Sequence, residues 1–237
     1  MKICATTLGE TAGDLLSMTL KLGYAVSSTI LFAAFAVTLI AQLLAKKYHP
    51  FLYWMVILST STAGTTMSDY MDRTLGLGYA EGSLILLTIL IAILTYWRLT
   101  EKSMSVTKIR TFKVEILYWT AILFSNTLGT ALGDFLADDS GLGFVGGALT
   151  VGGVIALIAA AAYFTNISKV LLFWIAFVLT RPFGATFGDV LTKPVDKGGT
   201  GFGTIGSSAI LGAILVICIA YASLKERRNA DIQPSLG

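Results

Sequence analysis

Long apolar stretches alternate along this chain with helical stretches in which glycine, threonine, serine and acidic residues recur on one face. The apolar stretches, such as 24–45, 79–97 and 204–224, are about as long as the ~20 residues with which an α-helix crosses a bilayer. They are continuous, whereas a transmembrane β-barrel has segments of about ten alternating residues. The pattern therefore predicts an all-α polytopic membrane protein.

The polar stretches share one pattern, a glycine five residues before an aspartate. It occurs four times, at Gly9/Asp14, Gly64/Asp69, Gly129/Asp134 and Gly184/Asp189, so that the aspartates are 55, 65 and 55 residues apart. In three units a tryptophan lies fifteen residues before the aspartate (Trp54, Trp119, Trp174), and in all four a glycine follows the aspartate by nine (Gly23, Gly78, Gly143 and Gly198, the last at the start of a glycine-rich segment). This periodicity indicates a duplicated duplication with internal four-fold or two-fold pseudo-symmetry.

Each unit is predicted to be a helical hairpin: a helix that carries the acid, a glycine-containing turn and a plainer apolar helix. We expect about eight transmembrane helices in a single membrane domain over 1–237, with repeats at about 1–45, 46–110, 111–166 and 167–225 and a tail at 226–237. In the first unit the tryptophan position would precede residue 1. We interpret its first helix as one that lacks its beginning, and a half-span is the alternative.

Because each unit has an even number of spans, all four repeats have the same orientation and the aspartates approach one side. The links between units and the tail carry eleven Lys and Arg residues, whereas the turns hold only Lys21, Arg73, Lys193 and Lys197. By the positive-inside rule we expect the links and the C-terminus on the cytoplasmic side of the membrane.

One face of each acid-bearing helix is small or polar, at the aspartate and at one, four, five and eight residues before it. The four faces read Thr6, Gly9, Glu10, Gly13, Asp14; Ser61, Gly64, Thr65, Ser68, Asp69; Asn126, Gly129, Thr130, Gly133, Asp134; and Arg181, Gly184, Ala185, Gly188, Asp189. Small residues spaced four apart allow helices in lipid to approach closely, so we expect the four helices to pack around one centre. Thr11, Thr66 and Thr186, three residues before their aspartates, are expected to flank it.

Acids inside hydrocarbon are costly unless they pair, face water or bind cations. We predict a central cation site formed by Asp14, Asp69, Asp134, Asp189, Glu10, Thr65, Thr130, Asn126 and Arg181, with the four aspartates as candidate metal ligands. Arg181 is expected to pair with the aspartates or Glu10. The alternatives are simple helix packing and a purely structural ion pair.

Other features of the sequence narrow the function less. Charged residues make up 13% of the chain and hydrophobic residues 55%, and nothing indicates a nucleic-acid partner. Cys4 and Cys218 lack a CxxC spacing, and His49 lacks an HExxH partner. The acidic turns at Asp72–Arg73 and Asp138–Asp139 are expected to be solvated, the alternative being a vestibule for cations.

The chain resembles a family of bacterial membrane proteins built from four tandem two-helix repeats, each with a characteristic tryptophan. The resemblance rests on FLYW, ILYW and LLFW, on TLGETAGD, TAGTTMSD, TLGTALGD and RPFGATFGD, and on the GLGY-like turns, and it covers essentially the whole chain. It implies a bacterial inner membrane and eight spans, from which the short first unit departs, and it does not indicate which activity the protein has.

We favour a secondary transporter of a cation, either a metal ion or a small organic cation, with protons exchanging through the same carboxylates. Its partners are then the lipid bilayer and the cationic substrate, and no cofactor is expected apart from a bound cation. An intramembrane hydrolase of aspartyl type fits less well, because the residue three before each aspartate is Thr11, Thr66, Ala131 or Thr186 and not glycine. A structural or regulatory scaffold is a further alternative. Whether the glycine-rich second helices pack within one chain or in a homo-oligomer stays open.

Overall fold

The fold consists of helices throughout the residues that the computed structural model describes. These are 1–45, 49–101 and 111–232, of which 226–232 are described as backbone only. Eight α-helices follow one another: α1 (Lys2–Asp14), α2 (Tyr24–Leu44), α3 (Pro50–Asp69), α4 (Tyr79–Thr100), α5 (Phe112–Asp134), α6 (Gly143–Phe164), α7 (Lys169–Thr192) and α8 (Gly203–Ile232). The predicted all-α architecture of four two-helix repeats is confirmed.

Similar turns join the two helices of each unit. In the first three units a single π-helical turn follows the aspartate, at Leu15–Thr19, Tyr70–Thr74 and Phe135–Asp139. The glycine nine residues after the aspartate then has a positive φ, 76° at Gly23, 78° at Gly78 and 67° at Gly143, which side chains rarely adopt. The glycine of the repeat is therefore required by the backbone of the turn.

The four odd-numbered helices form what we call the inner bundle, in which α1 contacts α3, α3 contacts α5, α5 contacts α7, and α7 contacts α1. The contacts repeat in register. The glycine five residues before each aspartate faces the residue eight before the aspartate of the next unit, in the pairs Gly9–Ser61, Gly64–Asn126, Gly129–Arg181 and Gly184–Thr6. Position by position, the helices are thus parallel and the aspartates lie at one end, which we call the turn end.

The even-numbered helices surround the inner bundle, and each has its main contacts with the unit that follows. α2 packs on α3, α4 on α5, α6 on α7, and α8 closes the circle on α1. The glycines of α6 take part in this packing, since Gly147 faces Thr186 and Gly152 faces Phe183 within the same chain. The repeats are therefore interlocked as well as tandem.

Five helices are long and apolar enough to cross a membrane, namely α2, α4, α6, α7 and residues Gly203–Lys225 of α8. Apolar side chains are exposed along the outer helices, for example Val37, Leu84, Leu149 and Ile217. In water such a surface would be unfavourable, whereas in a bilayer it contacts lipid. α1, α3 and α5 are less apolar because their polar faces meet inside this belt. The protein is a multi-pass membrane protein.

The opposite end of the inner bundle, the aromatic end, is filled by rings. Trp119 and Trp174, two tryptophans of the repeat, are buried there, and the buried Trp97 of α4 lies 5.6 Å from Trp174 between ring centroids. The hydroxyls of Tyr53 and Tyr118 are 2.8 Å apart. Edge-to-face aromatic contacts of this kind stabilise helix packing. The repeated tryptophan thus packs one end of the bundle and takes no part in the acidic site.

The interlocking glycines give a first prediction. A Cβ at Gly184 would lie 2.9 Å from the backbone carbon of Thr6, whereas a Cβ at Gly153 would meet nothing within 4 Å. Gly184→Ala should therefore separate α7 from α1 and cost roughly 1–3 kcal/mol. Gly153→Ala should be neutral or slightly stabilising, because alanine favours helix by about 1 kcal/mol over glycine. Thermal unfolding in detergent compares the two, and equal stability of both variants would contradict the interlocking contact.

Candidate functional site

The aspartates of the four repeats lie at the turn end of the inner bundle, each as the last residue or near the last residue of its helix. They are almost fully buried, with exposed fractions of 4% for Asp14, 2% for Asp69, 4% for Asp134 and 4% for Asp189. The helix period places Glu10 on the same face one turn further in, at 3% exposure. Five carboxylates are thus brought together inside the lipid-facing belt.

Arg181 lies at the centre of the inner bundle and is fully buried. Its Nη1 donates to Glu10 Oε2 at 2.9 Å, which gives an ion pair between α7 and α1. Its Nη2 donates to Thr130 Oγ1 of α5 at 2.8 Å and to Thr65 Oγ1 of α3. One guanidinium therefore bonds to the other three inner helices, and the predicted pairing with Glu10 is confirmed by the geometry.

The other predicted polar residues have different positions. Thr65 and Thr130 face the centre and also lie within hydrogen-bonding distance of Glu10 Oε2, at 3.2 and 3.5 Å. Asn126 instead donates from Nδ2 to Thr60 Oγ1 at 2.7 Å, between α5 and α3. The hydroxyls of the three threonines before the aspartates donate to carbonyls of their own helices, Thr11 to Leu8, Thr66 to Thr62 and Thr186 to Pro182, and their place beside the site stays a prediction.

Two cations from the turns complete the site. Arg73 bridges Asp69 at 3.1 Å and Asp134 at 3.2 Å. Lys193 bridges Asp189 at 3.0 Å and Asp14 at 3.1 Å. Each cation joins the acid of its own unit to that of the next unit around the bundle. Neither was expected at the site, although each lies four residues after an aspartate, the spacing at which opposite charges meet on a helix.

The environment of these two cations favours their charged forms. Burial alone would lower the pKa of Lys193, but the carboxylates of Asp189 and Asp14 outweigh it and hold this pKa above its ordinary value. Burial opposes the charge of Arg73 as well, and Asp69 and Asp134 reverse the effect and raise the pKa. Both side chains are therefore cationic at physiological pH.

The ion pairs leave an imbalance of charge. Five carboxylates meet three cations, Arg73, Arg181 and Lys193, which is an excess of two negative charges when all five acids are ionised. One oxygen each of Glu10, Asp134 and Asp189 lies within 4.8 Å of the others, a spacing suited to a metal ion. Carboxylate oxygens are ligands of hard cations such as Mg²⁺ and Ca²⁺. Two of the four predicted metal ligands belong to this group, and metal binding itself stays a prediction.

The two acidic turns differ from each other. Asp138 and Asp139 are exposed, as expected for a solvated turn. Asp72 is buried against Gly82 of α4 and accepts a hydrogen bond from Ser68 Oγ at 3.1 Å, so the expectation of a solvated turn is wrong there. Burial raises the pKa of Asp72 to about 6, which the bond from Ser68 and the charge of Arg73 only partly oppose.

Comparison with protein families agrees with this four-fold arrangement. Residues 1–48, 52–103, 117–168 and 172–228 each match the family described as Repeat of Unknown Function (DUF347). The chain belongs to the DUF347 family. The four matched segments each contain one inner and one outer helix of the structure, so the DUF347 repeat is the two-helix unit. Neither the curated proteins nor the solved structures contain a match to the chain.

The central ion pair of this DUF347 protein gives a second prediction. Glu10→Gln leaves the Arg181 guanidinium buried without its counter-charge, a change that typically costs about 3–5 kcal/mol. Removing both charges in Glu10→Gln/Arg181→Met should recover part of that loss. The free energy of unfolding in detergent, measured for the single and double variants, tests this.

A matched control is the half-exposed pair of Lys113 and Glu101, 3.7 Å apart. Glu101→Gln should cost less than about 1 kcal/mol, because water already solvates both charges. A double variant no more stable than Glu10→Gln alone would show that the two charges do not depend on each other.

The raised pKa of Asp72 gives a third prediction, for pH. The folded protein holds the Asp72 proton more tightly than the unfolded chain, where an aspartate has a pKa of about 3.9. The resulting stability is present below about pH 4 and is lost as pH rises to about 6. Asp72→Asn should therefore raise the Tm relative to wild type more at pH 7 than at pH 4. Asp138→Asn, at an exposed turn, should show no such difference between the two pH values.

Proposed function

We propose that this protein is a secondary transporter of a cation and that the carboxylates and threonines of the inner bundle form its binding site. The observation that carries the proposal is the group of five buried carboxylates at one end of a lipid-embedded helix bundle, with three cations to balance them. Ionisable groups at such depth are costly and typically mark ion or proton pathways.

The oxygen ligands support a hard cation. Glu10, Asp134 and Asp189 present carboxylate oxygens within 4.8 Å of one another. The Thr130 hydroxyl is within hydrogen-bonding distance of the Glu10 carboxylate and therefore adds a further oxygen beside this group. Oxygen donors suit hard metal ions and small organic ammonium ions better than soft metals. The excess of two negative charges is neutralised by one divalent ion, by two monovalent ions or by protons, which provides a basis for exchange of protons with the substrate.

Arg181 makes a carrier a better proposal than an open channel. Its guanidinium spans the centre of the bundle, and the aromatic end below it is filled by Trp97, Trp119 and Trp174. A fixed positive charge in a continuous pore would oppose the flow of cations. In a carrier the same charge balances Glu10 while the acids above it bind the substrate.

We further propose that the membrane is the bacterial cytoplasmic membrane, with the turn end outside and the C-terminus in the cytoplasm. The four turns are at one end of the parallel inner helices, so the links and the end of α8 are at the other. Five of the cations on which the orientation rests, Lys46, Lys47, Lys102, Lys108 and Arg110, lie outside the described residues. The bias of positive charge still favours this orientation.

The fourth prediction concerns flux. Purified protein in liposomes should transport one or a few cations from a panel of monovalent and divalent ions, with a rate that changes when a pH gradient is imposed. Asp→Asn at positions 14, 69, 134 and 189 should abolish that flux, because a neutral amide lacks the charge that compensates the desolvation of a cation. Ion flux is followed with entrapped fluorescent indicators.

The control replaces the exposed turn acids Asp138, Asp139 and Asp196 by asparagine, which should leave the flux unchanged. Both variants must elute as monodisperse protein of wild-type size. If the variant with asparagine at the four buried positions retained the flux, the carboxylates would not be the site of transport. Absence of cation flux in folded wild-type protein would overturn transport of cations and favour a scaffold or an aspartyl hydrolase.

A further inference from the structure

The ion pairs at the turn end form an almost continuous chain around the inner bundle. Arg73 joins Asp69 to Asp134, an oxygen of Asp134 lies within 4.8 Å of one of Asp189, and Lys193 joins Asp189 to Asp14. Every repeat aspartate is therefore held by a cation that the chain itself supplies. A cation that arrives from the turn end meets these oxygens already occupied.

The two cations come from the turns and not from the helices of the inner bundle. Arg73 is in the π-helical turn after α3, and Lys193 directly follows α7. Only the second and fourth units supply one, because the equivalent positions of the first and third units hold Met18 and Asp138. The arrangement is thus two-fold: two of the four junctions between inner helices are bridged by a cation.

Both side chains lie between the site and the surface. The side chain of Arg73 is 31% exposed and that of Lys193 is 21% exposed, whereas their aspartate partners are exposed by at most 6%. Arg73 also donates to the Tyr24 hydroxyl at 3.1 Å and lies 5.6 Å from the Tyr79 ring centroid. These two tyrosines begin α2 and α4, so the outer helices hold Arg73 in place.

The backbone of Lys193 is fixed by the connection between α7 and α8. The backbone amide of Gly201 donates to the Lys193 carbonyl at 2.9 Å, and a side chain at Gly199 would collide with that same carbonyl. The glycine-rich segment after α7 therefore folds tightly over the base of the lysine. Its ammonium group remains at the end of a flexible four-carbon chain.

We propose that Arg73 and Lys193 form a gate at the turn end, in which two tethered cations occupy the acids until a substrate cation displaces them. This inference rests on the proposed function and adds how access to its site is controlled. Because the charged groups are partly exposed and attached to long side chains, they can exchange the carboxylates for water without rearrangement of the inner helices. The structure then represents the closed state of the site.

A tethered cation competes with a free one at an effective concentration of the order of millimolar. Removing both tethers in Arg73→Gln/Lys193→Gln should therefore lower the cation concentration for half-maximal flux by about 10-fold. Lys21→Gln/Lys197→Gln removes the same number of charges from exposed turn positions and should change little.

Access to the site is measured without transport. In a Cys4→Ala/Cys218→Ala background, Thr130→Cys places a thiol beside Arg181, below the gate. The rate of its modification by a small cationic methanethiosulfonate reagent, followed by mass spectrometry, should rise about 10-fold when both tethers are removed, and should not rise in Lys21→Gln/Lys197→Gln. The filled aromatic end leaves the turn end as the route of the reagent.

The two readouts separate this inference from the proposed function. An unchanged modification rate in folded Arg73→Gln/Lys193→Gln protein overturns the gate, even where wild-type flux is robust. A faster rate supports the gate even where no cation in the panel is transported, a result that would overturn the proposed function alone. A misfolded double glutamine variant is recognised by its elution, and the single variants Arg73→Gln and Lys193→Gln then decide, each with an intermediate rise expected.

Discussion

The structure depends on the pairing of the buried charges at the centre and at the turn end of the inner bundle. An arginine at the centre of four helices is tolerated because Glu10 neutralises it and because hydroxyls and carbonyls of the neighbouring helices accept further hydrogen bonds from Nη1 and Nη2. Those bonds need helices that approach closely, which the glycines of the repeat provide. Charge compensation and the small-residue pattern are therefore two aspects of one constraint.

Much of this arrangement follows from the sequence. The 3.6-residue period places Glu10, Thr65, Thr130 and the aspartates on inward faces, and four similar patterns predict similar environments for the four aspartates. The period does not determine which face meets which, so the register of Gly9 on Ser61 and the packing of each outer helix on the following unit came only from the structure. Arg73 and Lys193 were not predicted at the site because turn residues are usually solvated, and the sequence does not show that each charged group reaches two buried aspartates.

The inner bundle is close to four-fold symmetric in its backbone contacts but two-fold in its charges. The glycine pairs repeat at all four junctions, whereas bridging cations occur only in the second and fourth units. A single arginine and a single glutamate at the centre lower the symmetry further. The repeats thus differ in their polar side chains and keep the glycine contacts between inner helices in register. The resulting site has distinct junctions, of which that between α5 and α7 carries the carboxylate group with Glu10.

The packing of every outer helix on the next unit bears on how such a chain arose. In a chain of only two repeats, the second outer helix would have no following inner helix to pack on. The first inner helix would likewise lack the outer helix that packs on it in the full chain. Two copies of that chain, arranged about a two-fold axis, satisfy both needs by exchange and reproduce the full circle. The 55-, 65- and 55-residue spacing and the alternation of bridging cations match this arrangement. The molecule has the organisation of a fused homodimer, in which the connection between the second and third repeats joins two halves that would otherwise be separate subunits.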